Sequence, residues 1–157
     1  VRPLATLALL SLTSCQTTGL PAGSLANGCD NPAARGAVRQ AVQSFYDALR
    51  TDDAAAFQRA TTPHFFAYEI GKRYTGQELR DIIAKDHADG QIINWNLGPM
   101  TMHVDCTVAT AAWENNGSSG RQGKLKPRAW LESAVLRRQG DRWVMTFLHS
   151  TPKDPRP

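Results

Sequence analysis

Arg128-Ala129-Trp130-Leu131-Glu132-Ser133-Ala134-Val135-Leu136-Arg137-Arg138, then Gln139-Gly140-Asp141, then Arg142-Trp143-Val144-Met145-Thr146-Phe147-Leu148-His149-Ser150-Thr151 is the stretch that decides the fold. It consists of two long runs rich in apolar and β-branched residues, joined by a tight Gly-containing turn, which is the pattern of an antiparallel hairpin. Period two divides the last strand. Trp143, Met145, Phe147 and His149 share one face, and Val144, Thr146, Leu148 and Ser150 share the other. Both faces are largely apolar, so one is expected to line a concave interior and the other to pack on helices or a partner.

Upstream, Asp105 to Glu114 also alternates, with Cys106, Val108, Thr110 and Ala112 set against Thr107, Ala109, Ala111 and Trp113. Asn115 to Gly123 is polar and Gly-rich and reads as a loop. Ile92 to Val104 reads as a strand pair or one long strand bent at Gly98-Pro99. Before Gly90 the period is helical. Asn31 caps a helix opened by Pro32, and Val38, Val42, Phe45 and Leu49 recur on one side. Thr51-Asp52 breaks it and caps a short second helix with Ala55, Ala56, Phe57 and Ala60, ended by Pro63. Phe65 to Ile70 reads as a strand turned by Gly71. A third helix opens at Gly76 and carries Leu79, Ile82, Ile83 and His87. Helices followed by long strands indicate an α+β fold, with three N-terminal helices packed on a strongly curved antiparallel sheet.

The chain has 157 residues, 41% hydrophobic and 20% charged, enough for one domain with a core of its own. The net charge of +4 is scattered. Arg121, Lys124, Lys126 and Arg128, and the later group of Arg137, Arg138 and Arg142, read as solvated rims, so no nucleic-acid partner is expected. The four histidines show no metal-ligand spacing, and no metal or cofactor is expected. There is no nucleophile elbow, phosphate-binding glycine loop or paired-cysteine redox motif.

Residues 4–12 form an apolar run behind Arg2. It is far too short to span a bilayer, which takes about 20 residues, but it suits a signal-peptide core. Leu12-Thr13-Ser14-Cys15 resembles the bacterial lipobox, which implies cleavage before Cys15 and acylation there, palmitate included. Residues 1–14 are then the signal peptide and 15–32 a tether rich in Thr, Gly, Ser and Pro. Residues 33–151 form the domain, and 152–157 a disordered tail. Gln16 is not the aspartate associated with inner-membrane retention, so an outer-membrane lipoprotein facing the periplasm is expected. With Cys15 lipidated, Cys29 and Cys106 remain. They are either a disulfide in an oxidising compartment or two buried thiols.

The element order is similar to the nuclear-transport-factor-2-like superfamily, and more narrowly to its SnoaL-like and ketosteroid-isomerase-like group. Phe45-Tyr46-Asp47-Ala48-Leu49-Arg50-Thr51-Asp52, Tyr74-Thr75-Gly76-Gln77-Glu78-Leu79, Gly140-Asp141-Arg142-Trp143-Val144 and Leu148-His149-Ser150 carry the resemblance. It implies a cone-shaped domain with a cavity and a homodimer formed through the sheet. Steroid isomerases of the group place a tyrosine on the first helix and an aspartate base on the first strand. Counting back from Asp52-Asp53 puts Phe45, not Tyr46, at the first position, and the second reads Tyr68-Glu69, so that dyad does not transfer. The resemblance also implies that His149 faces the cavity.

The candidate catalytic residues are therefore His149, Glu132 and Glu69. Glu132 is notable because a carboxylate amid Leu131, Ala134 and Leu136 is costly to bury unless paired or protonated. Tyr46, Tyr68, Trp95, Trp113, Trp130 and His149 are the candidate ligand-binding residues. His87 reads as core or helix end, His103 as surface and His64 as loop. Without a transferable dyad, the reading favours a binding module for a small apolar ligand or protein partner over an acid/base isomerase, cyclase or hydrolase.

Overall fold

The computed structural model describes residues 28–153. The expected signal peptide, Cys15, most of the expected tether and residues 154–157 lie outside the described residues. The order is α1 (Pro32–Arg50), α2 (Ala54–Ala60), β1 (Thr61–Glu69), β2 (Lys72–Thr75), α3 (Gly76–Ala88), β3 (Ile92–Asn94), β4 (Leu97–Val104), β5 (Val108–Arg121), β6 (Lys124–Gln139) and β7 (Arg142–Pro152).

Local chemistry sets the helix ends. The Asn31 side chain accepts from Ala34 N at 3.0 Å, a cap contributing about 1 kcal/mol. Val38, Val42, Phe45 and Leu49, one turn apart, are all buried, so α1 presents one continuous apolar stripe to the sheet. The second helix is capped by Asp53 rather than Thr51-Asp52, its carboxylate accepting from Ala56 N at 2.8 Å. Asp52 instead takes a left-handed backbone, φ 52°. Its carboxylate meets His87 Nδ1 at 3.0 Å, which ties the end of α3 to the α1–α2 turn. Thr75 and Glu78 form a reciprocal capping box at the start of α3.

The described strands form one seven-stranded sheet in the order β2-β1-β7-β6-β5-β3, with β4 also on β5. Every pairing is antiparallel except β1 with β7, which is parallel, so the sheet is mixed rather than purely antiparallel. The long connection from β1 to β7, which contains α3 and β2 to β6, allows this, since parallel neighbours cannot be joined by a tight turn. Asn115 to Gly123, expected as a loop, is mostly strand. β5 runs to Arg121 and pairs with β6 as far as Arg121↔Lys124. Asn115 and Gly117 look like loop residues only because of tertiary contacts: the fully buried Asn115 side chain bonds Asn96 N and Glu132, and Gly117, lacking a Cβ, leaves room for Asn94. A Cβ on Gly117 would lie 1.8 Å from Asn94 O, so only glycine lets β3 lie against β5.

Register shifts bend the sheet at Thr61/Phe66, Leu97/Met100 and Val135/Leu136. The second coincides with the expected bend at Gly98-Pro99. At the third, Met145 pairs with Leu136 and Phe147 with Val135, so Thr146 is the extra residue. Its hydroxyl donates to Val135 O at 3.0 Å. The alternation of β7 therefore reverses there. Trp143 and Met145 join the core before the bulge, and Leu148 and Ser150 point inward after it. Cys29 and Cys106 form a disulfide with Cα atoms 5.0 Å apart, fastening the chain ahead of α1 to the β4–β5 turn.

Candidate functional site

Cross-strand register places four inward residues in one row. Glu69 pairs with Ser150, Ser150 with Glu132, and Glu132 with Trp113, across β1, β7, β6 and β5. This row lies at the open end of the cone. Beyond it toward the core the next inward row is Ala67, Leu148, Ala134 and Ala111, small or aliphatic and buried. Polar groups thus stand where the apolar packing stops.

A cavity of about 410 Å³ opens above that row, lined chiefly by Tyr46, Glu69, Tyr74, Trp95, Trp130 and Glu132, with Leu49, Leu79, Ile82, Ile83 and Ile93 as apolar wall. Two larger grooves lie elsewhere on the surface, one beside Arg73 and Arg80 and one between α1 and the β6–β7 turn. Neither holds a buried titratable side chain. The cone cavity does, and it is the candidate site.

Glu132 is only 6% exposed. Trp113 Nε1 donates to its Oε2 at 2.7 Å and Asn115 Nδ2 to the same oxygen at 2.9 Å. Asn115 is itself oriented, because its Oδ1 accepts from Asn96 N at 2.8 Å. Burial is the main influence on Glu132 and pushes its carboxyl above the usual carboxylate range. The surrounding donors pull the other way without cancelling it.

Tyr46, on α1, lines the same cavity. Its ring packs edge-on to Trp113 at 6.3 Å and tilted on Trp95 at 5.6 Å. Its hydroxyl is buried and makes no hydrogen bond of ordinary geometry, alone in this among the buried side-chain polar atoms of the described residues. Glu132 and Asn115 stand close enough to shift its titration as hydrogen-bond partners do, but neither meets it at ordinary hydrogen-bond geometry. Burial first, then the Glu132 charge, pushes the phenol well above its ordinary value. A buried hydroxyl short of a well-formed hydrogen bond is uncommon in a folded protein, and here it belongs to a residue that lines a cavity.

The sequence-derived candidates divide. Tyr46, Trp95, Trp130, Glu69 and Glu132 line the cavity, and Trp113 stands behind Glu132 as its donor. His149 and Tyr68 do not belong with them. They pair with each other across β7 and β1 on the outer face, with ring centroids 6.3 Å apart and Phe66 and Phe147 beside them. Tyr68 is 45% exposed, and His149 Nε2 meets Thr151 Oγ1 at 3.2 Å. The expectation that His149 faces the cavity is corrected by the Thr146 bulge. The count that favoured Phe45 is also off by one, since Phe45 packs against Phe57 and Phe65 in the core and its neighbour Tyr46 reaches the cavity. Asp86 and Ser150 line the cavity too and were missed. Asp86 lies one helical turn past Ile82 and Ile83 on α3, a spacing that would have found it. Among the described residues no three His, Cys, Asp or Glu side chains gather as metal ligands.

Comparison with known proteins agrees with this architecture. A family model described as a SnoaL-like domain matches residues 38–154. No curated protein matches the sequence. Among solved structures, the chain is similar to a nuclear-transport-factor-2-like protein with a cystatin-like fold from Novosphingobium aromaticivorans. The TM-score is 0.65 at 17% identity, over 81% of this chain and 93% of that one. A ketosteroid isomerase-like protein from Erwinia carotovora matches with TM-score 0.61 and 14% identity, over 76% and 96%. The association domain of C. elegans CaMKII matches with TM-score 0.63 and 20% identity, over 76% and 95%. At these identities the likeness concerns the fold.

Proposed function

The chain belongs to the SnoaL-like domain family of the nuclear-transport-factor-2-like superfamily, and from that premise we propose that its cone takes up a small, largely apolar molecule whose polar end reaches Tyr46 and Glu132. The observation that carries this reading is a cavity of about 410 Å³ with a largely apolar and aromatic lining, to which Glu132 and Tyr46 bring a buried carboxyl and a buried hydroxyl that makes no well-formed hydrogen bond. A ligand group that hydrogen-bonds there would relieve an unsatisfied site, a gain available to no purely apolar guest. N-phenyl-1-naphthylamine, a neutral dye that fluoresces in apolar surroundings and carries one N–H, tests it. The full chain should take up the dye, Ile83→Trp should block uptake by filling the cavity, and Tyr46→Phe should weaken it by about two- to ten-fold. A signal indifferent to both substitutions would place the dye elsewhere and end the proposal.

One observation favours a second reading, acid/base catalysis. Glu132 is held toward its protonated form while Glu69 lines the same cavity, which offers a proton donor and a carboxylate to one guest. Such an enzyme would be an isomerase, cyclase or hydrolase. Loss of dye-competitive turnover in both Glu132→Gln and Glu69→Gln would support it, and turnover unaffected by either would exclude it.

We also propose attachment to the outer membrane through an acylated Cys15, facing the periplasm. The lipobox-like Leu12-Thr13-Ser14-Cys15 supports this, as does the Cys29–Cys106 disulfide, which suits an oxidising compartment. Labelled palmitate should enter the wild-type chain and not Cys15→Ser. Unmodified Cys15 in the mature protein would refute it. A homodimer through the outer sheet face completes the proposal. It is supported by exposed Tyr68 and Leu131 and by the occurrence of this fold in an association domain.

A further inference from the structure

The walls of the cone cavity carry three carboxyl groups, Glu69, Asp86 and Glu132, and no lysine, arginine or histidine side chain. This is a sharp local inversion in a chain whose net charge is +4. The hydrogen bonds that hold Glu132 come from an indole and an amide, both neutral. The same walls present four aromatic rings, those of Tyr46, Tyr74, Trp95 and Trp130, and the buried Tyr46 oxygen without a partner. Carboxylates and electron-rich ring faces attract the same thing, a cation. An anionic guest would meet carboxyl groups and no basic side chain, whereas a cation would be attracted to them and would favour the ionised form of Glu132, which burial alone opposes.

Resting on the cavity reading above, we propose that the ligand is an organic cation, an amine or quaternary ammonium carried on an apolar body. Trp95 and Trp130 with Tyr74 receive the cationic head over their ring faces. Asp86 supplies charge from α3, and Glu132, in the same sheet row as Glu69, gives up its proton when the cation is bound beside it. The aliphatic side chains Leu79, Ile82, Ile83 and Ile93 cover the apolar body. A primary or secondary ammonium would in addition donate to Tyr46 Oη.

Three probes of one shape test this on the full chain, read by the fluorescence of the cavity tryptophans. They are benzyltrimethylammonium, its neutral carbon isostere neopentylbenzene, and phenylmethanesulfonate. The cation should bind about ten-fold or more tightly than the isostere, and the sulfonate should not compete. Asp86→Asn, a change at the half-buried rim, and Glu132→Gln should each weaken the cation several-fold and leave the isostere unchanged. Equal or tighter binding of the isostere or the sulfonate, or a cation affinity indifferent to both substitutions, would overturn the charge assignment. With N-phenyl-1-naphthylamine still bound, that result would leave the cavity reading standing. Silence from all three probes and from the dye would take both down.

Discussion

Replacing Tyr46 by phenylalanine should make this protein more stable. The substitution keeps the ring and so keeps its contacts with Phe45, Trp95 and Trp113, at centroid distances of 5.2, 5.6 and 6.3 Å. It removes only an oxygen that is buried and lacks a hydrogen bond. A buried hydroxyl in that state costs about 1–3 kcal/mol relative to one solvated in the unfolded chain. Against this stands the void left by the missing oxygen. At roughly 10 Å³ and 24 cal/mol per Å³ it costs about 0.25 kcal/mol. The net gain is therefore about 0.75–2.75 kcal/mol, or roughly 2–9 °C in melting temperature for a domain of this size. Thermal and urea denaturation of wild type and variant, without ligand, measure it. The same variant should bind the naphthylamine dye less well, so stability and uptake should move in opposite directions, as expected where a site is kept strained for its ligand. A variant less stable than wild type by 1 kcal/mol or more would show that the hydroxyl is bonded in the resting protein. The argument for a ligand at that atom would then be gone.

Three other perturbations have directions set by the structure. Replacing both Cys29 and Cys106 by serine releases a loop of 77 residues, and loop-closure entropy puts the loss at about 4.5 kcal/mol, or roughly 10–20 °C; a loss under about 1 kcal/mol in urea melts would contradict the bridge. Glu132 has a carboxyl raised above its ordinary value of 4.5, so its favourable contribution is complete below that pH and is lost as pH rises through the folded-state value. Glutamine does not titrate, so Glu132→Gln should gain on wild type from about pH 4 to pH 8 in paired melts; a difference constant with pH, or one shrinking upward, would refute the shift. Gly117→Ala would force a Cβ to 1.8 Å from Asn94 O and pry β3 from β5. It should cost about 1–3 kcal/mol and abolish dye uptake by displacing the wall that carries Ile93 and Trp95; uptake at wild-type level would show that this wall is not part of the site.

Most of the architecture was legible because it depends on period and punctuation. The α1 stripe of Val38, Val42, Phe45 and Leu49 is a helical repeat, and all four are buried as that repeat requires. Gly140 marks the β6–β7 turn, with φ 58°, a backbone that favours glycine. What escaped depends on partners distant in sequence. The parallel pairing of β1 with β7 leaves no local trace, because it joins Tyr68 to His149 across the whole intervening chain. The strand at Asn115 to Arg121 was hidden because its residues answer to β3 and β6 rather than to each other. Gly117 is glycine because of Asn94 O, and Asn115 is asparagine because it must accept from Asn96 and donate to Glu132.

On β7 the expectation failed for one reason, and the failure is informative. Strict alternation along β7 assigns Trp143, Met145, Phe147 and His149 to a single face, and the first two are indeed in the core. One extra residue, Thr146, shifts the remainder by one, so that Phe147 and His149 turn outward and Leu148 and Ser150 inward. A slip of this kind exchanges every side chain beyond it. The residue count along α1 was off by one in the same way and favoured Phe45 over Tyr46, although both are buried. Glu132 survived as a candidate because its argument never used register. A carboxyl inside an apolar strand needs an explanation on either face, and Trp113 and Asn115 supply half of it. The other half is what the cavity admits. A bulge sits two residues before the inward turn of Leu148 and four before Ser150, the partner of both Glu132 and Glu69. One of the three shifts that bend the sheet thus also turns Ser150 inward between the two carboxyls, and a chain lacking Thr146 should lose that bend and that placement together.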